Sequence, residues 1–209
     1  MPKSTSSAPV VGRPRRFDDQ TERRLLIDAV IRVMERNGYS EMSVSDVLAE
    51  AGLSTRAFYR HFQSKEALLE TFLLREGEAV GRSLTRVVVA APHPVAAVEA
   101  WLDRFLDVFY EPRRAKRTTL LTAAAAKASG PRLQIMNELR QSACRPLVSA
   151  LEEGHRAGVL HSMRPEADAY SIHALVMASL DAGDGSQQDR ATTRGHVVRF
   201  AWPALRLDA

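Results

Sequence analysis

The sequence predicts an all-α protein: a small N-terminal three-helix unit followed by a larger helical domain, about nine helices in all. Three observations lead there. Apolar residues recur with the helical period along most of the chain after residue 17. Serine and aspartate starts, with glycine and proline stops, cut that pattern into helix-length pieces. Runs of β-branched residues are few and short. With 209 residues, 45% hydrophobic and 26% charged, the chain has enough apolar matter to bury a core unaided. The single cysteine, Cys144, excludes an intrachain disulfide and a Cys-rich zinc site. No apolar run reaches the roughly 18–20 residues of a membrane span, and Met1 to Pro9 lack the apolar core of a secretion signal. The expectation is a cytoplasmic protein with no membrane partner.

The net charge of +4 sits in one place. Residues 1–16 carry Lys3, Arg13, Arg15 and Arg16 and no acid, leaving 25 basic against 25 acidic residues after them. This Ser-, Pro- and Gly-rich stretch cannot bury enough apolar surface to fold alone. It is either a solvated tail or a basic arm whose Arg13, Arg15 and Arg16 lie in a DNA minor groove.

The first helix is expected over Asp19–Asn37, because Leu25, Leu26, Ala29, Val30, Val33 and Met34 share one face and Gly38 supplies a left-handed stop. Ser43 followed three residues later by Asp46 reads as a capping box, opening a short helix over Val44–Ala51 that ends at Gly52. Ser54 caps the next, Thr55–His61, with Ala57, Phe58 and Phe62 facing inward. Ser64 caps a long helix from Lys65 past Leu84, whose phase carries Val87 and Val88 as helix rather than strand. Further helices are expected over about 95–110, 114–128, 131–157, 166–181 and 188–205, with a loop at Gly183–Ser186. Pro146 and Pro203 lie within helical patterns and are expected to kink or end them.

Two short helices joined by Gly52-Leu53-Ser54 form a helix-turn-helix. A helix that enters the major groove needs one apolar face for its own domain and one face of donors for DNA. Phe58 and Phe62 supply the first; Thr55, Arg56, Tyr59 and Arg60 gather on the other side. Phe58-Tyr59-Arg60-His61-Phe62, followed by Lys65-Glu66-Ala67-Leu68-Leu69, resembles the DNA-binding domain of the TetR family of bacterial transcriptional regulators. Gly38-Tyr39, Ser43-Val44 and Ala51-Gly52-Leu53-Ser54 fit in order and spacing, and the resemblance covers about residues 20–70.

That resemblance implies an arm over 1–17, a DNA-binding domain over 18–64 and a ligand-binding and dimerisation domain over 65–209. It implies base contacts by Thr55, Arg56 and Arg60, and phosphate contacts by Ser43, Ser54, Tyr59, His61 and Lys65. The expected function is a ligand-responsive regulator, a repressor that binds palindromic double-stranded operator DNA as a homodimer and leaves when a small apolar or amphipathic effector binds. A ligand-independent DNA-binding protein or an activator is the alternative. An enzyme is not expected, since no nucleophile–base pair, phosphate loop or metal-ligand motif occurs, and neither metal nor other cofactor is expected.

Trp101, Phe105, Phe109 and Tyr110 form an aromatic stripe that is either core packing or, in a sensor domain, one wall of a pocket. Its companions in the second case are Leu121, Ile135, Met136, Leu139, Leu147, His173 and Met177. Taken by itself His173, among Ile172, Leu175 and Val176, reads as a packed or hydrogen-bonded core histidine, and Cys144 as a buried filler rather than a thiolate sensor. The last two helices are apolar on more than one side, which means core or partner. The resemblance places them at a two-fold interface, with Tyr170, Val176, Leu180, Val197, Val198, Phe200, Ala201, Trp202 and Leu205 as contacts.

Overall fold

A computed structural model of the chain describes residues 17–38, 41–111, 132–181 and 189–206. These contain eight helices and no strand: α1 Asp19–Asn37, α2 Val44–Ala51, α3 Thr55–His61, α4 Lys65–Ala90, α5 Pro94–Tyr110, α6 Arg132–Arg156, α7 Pro165–Asp181 and α8 Arg190–Leu205. The basic arm, the helix expected over 114–128 with Leu121, and the loop at 183–186 lie outside the described residues. Among the described residues no helix is long and apolar enough to cross a membrane.

Side-chain caps set the N-termini, as the serine and aspartate positions require. Asp18, Ser43, Ser54, Ser64 and Asp189 each accept from the backbone N–H three residues on, meeting a donor the helix cannot satisfy. At Ser43 the box is complete, with the Asp46 carboxylate accepting from the Ser43 N–H. Gly52 adopts the left-handed conformation (φ 64°, ψ 34°). Gly38 has φ 78° but ψ 166°, an extended glycine conformation rather than the left-handed helical stop expected. The long helix reaches Ala90 and includes the valine run. α6 continues through Pro146, and α8 contains Pro203, so neither proline ends its helix.

Two apolar cores result. The first joins α1, α2 and α3 through Leu26, Val30, Val33, Val47 and Phe58, and it extends past residue 64 to take in Leu68, Leu69 and Phe72 of α4. The second gathers Leu84, Trp101, Leu102, Leu106, Cys144, Leu147, Leu151, Ile172, Val176 and Val197 from α4 to α8. Each fully buried aromatic or leucine contributes about 1.5–3 kcal/mol relative to exposure. α4 therefore belongs to both cores.

Glycine lets α4 and α6 touch closely. A Cβ on Gly77 would meet Leu139 Cδ2 at 2.0 Å, and one on Gly81 would meet the Ser142 hydroxyl at 2.3 Å and its carbonyl oxygen at 3.1 Å. Pro146 has no N–H to offer the Ser142 carbonyl, four residues back, and the Gly81 backbone packs against that released oxygen. α8 is tied to α5 by charge. Arg194 Nε donates to Asp103 at 2.8 Å, Arg190 Nε to Asp107 at 2.8 Å, and Tyr110 shares a 2.6 Å hydrogen bond with the buried Thr193.

Candidate functional site

α3 is held by its inner face. Phe58 is fully buried, Phe62 nearly so, and their rings lie 6.0 Å apart. That anchorage turns Thr55, Arg56 and Tyr59 to the surface; Tyr59 is 60% exposed, with its ring edge-on to Phe58 at 5.3 Å. An aromatic so exposed beside an exposed arginine is a surface shaped for contact rather than for the core.

Arg60 and His61 are placed differently from the sequence expectation. Glu22 of α1 is buried, and its Oε2 accepts from Arg60 Nη1 at 2.6 Å and lies 3.0 Å from His61 Nε2. Arg60 also stands 3.6 Å from Asp19. The His61 side chain is only 7% exposed, so it braces α3 against α1 and its ring does not face a phosphate. Asp19, Glu22 and His61 bring three ligand atoms within 4.8 Å, but the guanidinium of Arg60 already supplies the cation there. Glu22 escaped the sequence reading, although its signal was present: it falls in phase with Leu26, Ala29 and Val33, on the stripe that must be buried.

The other expected phosphate contacts have structural duties as well. The Ser43 hydroxyl caps α2 and donates to Asp46 at 2.6 Å; that bond, with a second from the Ser43 backbone N–H, holds the Asp46 carboxyl below the usual carboxylate range. Ser54 caps α3. The Lys65 ammonium donates to the Met42 carbonyl, closing the turn ahead of α2. Arg32 and Arg36 both donate to Glu50, at 2.5 and 2.9 Å, fixing α1 to α2 and lowering the Glu50 carboxyl.

In the second domain a pocket of about 170 Å³ opens among four helices. α4 lines it with Leu73, Glu76, Gly77 and Val80; α5 with Phe105, Val108 and Phe109; α6 with Met136, Leu139, Arg140 and Ala143; α7 with His173 and Met177. Six expected residues meet there: Phe105, Phe109, Met136, Leu139, His173 and Met177. Trp101, Ile135 and Leu147 do not line it. Trp101 is fully buried, stacked on Phe105 at 4.9 Å and donating Nε1–H to the Ala143 carbonyl at 2.8 Å, while Ile135 and Leu147 are packed in the interior. Sequence reasoning missed Leu73, Glu76, Gly77 and Arg140, because α4 and α6 bring them in from distant segments. Burial, with the nearby Arg140 charge, pushes the His173 imidazole down to about 4 and keeps it neutral. Burial likewise pushes the Cys144 thiol up to about 12, leaving it inert.

The two last helices divide their apolar residues between core and surface. Val176, Val197, Ala201 and Leu205 are buried within the chain itself and correct the expectation that they face a partner. Tyr170, Leu180, Val198 and Trp202 are half-buried, and Phe200 is 58% exposed. Phe200 borders an open groove of about 360 Å³ with Met163, Ile172 and Leu175, larger than the interhelical pocket but on the outer face of α7 and α8.

A surface helix carrying donors, braced by a capped two-helix turn, defines a helix-turn-helix DNA-binding protein. Residues 26–72 match the model of the tetR family of bacterial regulatory proteins. The chain therefore carries a TetR-type helix-turn-helix DNA-binding domain over that stretch. It is 25% identical over 157 residues to the Escherichia coli regulator BetI, covering 74% of this chain and 77% of that one. It is 28% identical over 110 residues to the Mycolicibacterium smegmatis transcriptional repressor KstR, covering 52% of this chain and about half (51%) of the relative. The fold is similar to that of the Bacillus subtilis transcriptional regulator FadR in complex with stearoyl-CoA, with a TM-score of 0.70, 15% identity, and coverage of 87% of this chain and 98% of that one.

Proposed function

We propose that the protein is a ligand-responsive repressor that binds a near-palindromic operator as a homodimer and releases it when a small apolar or amphipathic effector fills the four-helix pocket. The observation that carries this reading is α4. Its first turns lie in the core beneath α3, through Leu68, Leu69 and Phe72, and its next turns wall the pocket through Leu73, Gly77 and Val80. One unbroken helix thus joins the DNA-facing unit to the cavity.

On this reading Thr55 and Arg56 read base edges, Tyr59 reaches phosphate, and Ser43, Ser54 and Lys65 support phosphate at the two helix starts. Arg60 reaches DNA only by leaving Glu22, and His61 is assigned to packing. Arg13, Arg15 and Arg16 are assigned to the minor groove. The exposed Phe200 and Met163, with Tyr170, Leu180, Val198 and Trp202, supply the dimer surface on α7 and α8. The repressor named among the relatives and the stearoyl-CoA complex of FadR support repression and ligand binding respectively.

The test is enrichment of random duplexes on the purified protein, followed by anisotropy titration and sedimentation. The expected product is a two-fold sequence whose half-sites are about 34–36 Å apart or a multiple of that, bound by a dimer. Enrichment of an asymmetric single site by a monomer would overturn it.

A further inference from the structure

The four-helix pocket is chemically narrow enough to select a class of ligand, an inference that rests on reading it as the effector site. Its volume of about 170 Å³ is close to the ~150 Å³ of an apolar cavity that takes up a single benzene ring. The Phe105 and Phe109 rings meet edge to face at 5.4 Å, and Met136 and Met177 add polarizable thioethers, surfaces suited to a planar ring. Among the described residues two charges border this space, Glu76 and Arg140, and they are opposite. An ionised ligand would gain one attraction, meet one repulsion and lose its hydration; a neutral one avoids that cost.

One further polar side chain lines the pocket among the described residues. The His173 ring lies tilted against Phe105 at 5.1 Å, and its nitrogens make no hydrogen bond among the described residues. As a neutral imidazole it offers one N–H donor and one lone pair. A hydroxyl is the small group that matches either. We propose that the pocket binds an uncharged, single-ring aromatic alcohol or phenol, seated between the Phe105–Phe109 corner and the methionines, with its hydroxyl paired to His173.

Calorimetry of the full chain with four probes of one shape tests this: 4-methylphenol, p-xylene, 4-methylbenzoate and 4-methylbenzylammonium. The phenol should bind about five- to tenfold more tightly than p-xylene, as one net hydrogen bond predicts, and both ions more weakly than p-xylene. His173→Leu should bring the phenol down to p-xylene while leaving p-xylene unchanged. His173→Gln, which keeps a donor and an acceptor, should restore part of the preference. Met177→Trp, which fills the pocket, should abolish binding of all four, with melting curves confirming the fold of each variant.

Tightest binding by either ion, a phenol preference that survives His173→Leu, or no saturable binding of any probe overturns the proposal. Release from the enriched operator is scored separately. Phenol binding without release refutes the effector reading and leaves the ligand class standing. Release by an ion alone does the reverse.

Discussion

Replacing Glu22 with glutamine tests the brace between α1 and α3. The carboxylate is buried, and both Arg60, at 2.6 Å, and His61, at 3.0 Å, bond to the same oxygen. Hydrogen bonds to charged groups contribute about 1.5–3 kcal/mol each. Two would suggest a larger loss, but 29% of the Arg60 side chain is exposed and rehydrates, and the amide oxygen still accepts one bond. The net expectation is a loss of about 2 kcal/mol, which for a chain of this size lowers the melting temperature by about 4–8 °C. Calorimetric melts of Glu22→Gln, Arg60→Gln and the double variant form a cycle. The coupling should reach about 1 kcal/mol, since the two groups are in contact. On DNA, freeing the guanidinium should steepen the salt dependence of binding by up to about 0.9 in log–log slope, one phosphate's worth. A melt unchanged by Glu22→Gln, or single-variant losses that add within ~0.3 kcal/mol, would refute the brace.

Other consequences are open to direct measurement. Arg56→Ala should weaken binding to the enriched operator by about 1–3 kcal/mol and relax sequence preference there, whereas Arg60→Ala should lower melting and weaken all duplexes more evenly; anisotropy on operator and random DNA separates the two. The His173 imidazole titrates near its ordinary value of 6.5 when unfolded and at about 4 when folded. Between those values the unfolded state binds the extra proton, so its contribution is complete above pH 6.5 and is lost as pH falls toward 4. The difference in urea stability between wild type and His173→Leu should therefore shift by about 1–3 kcal/mol across that window; a pH-independent difference argues against a neutral buried imidazole. Cys144, buried and with its thiol raised to about 12, should react with a disulfide reagent at pH 8 only as fast as the protein opens. Gly81→Ala forces a methyl against Ser142 and should cost about 1–3 kcal/mol by thermal melt.

Local chemistry made the helix starts readable, because a serine or aspartate at the cap meets backbone donors that must be met somewhere. The exposed face of α3 was readable for a related reason: Phe58 and Phe62 are four residues apart, and burying them leaves Thr55, Arg56 and Tyr59 outside. The tie of Arg60 to Glu22 was not readable, because the partner lies 38 residues away on α1 and periodicity within α3 cannot show it. The pocket was half readable. The aromatic stripe on α5 runs from Trp101 to Phe109, yet the α6 carbonyl at Ala143 covers Trp101, and only the last turns reach the cavity. The same limit separated Phe200 from Ala201 on α8. Both are apolar, but which of them faces solvent depends on how the helix rolls against α5 and α7.

On the proposed reading, the glycines on α4 bear on how the pocket and the DNA surface would share one response. A ligand shifts an equilibrium only by its differential affinity for two arrangements, so the cavity needs a wall that has two arrangements available. Side-chain interdigitation along α4 and α6 would resist sliding, because close-packed ridges move in steps. At Gly77 and Gly81 those ridges are missing, and backbone meets Leu139 and Ser142 directly. Gly77 is also a wall of the pocket, so a ligand presses on α4 where its grip on α6 is smoothest. Four residues toward the N-terminus stands Leu73, and next to it Phe72, fully buried in the core that holds α3. A small displacement of α4 at Gly77 has no loop in which to dissipate before it reaches that core. Filling the contact with Gly77→Ala, which drives the Leu139 side chain aside, should therefore alter operator affinity without any ligand, and by more than Ala150→Val, at a fully packed but remote position on α6. Equal effects of the two on anisotropy-measured affinity would leave α4 as a strut rather than a lever.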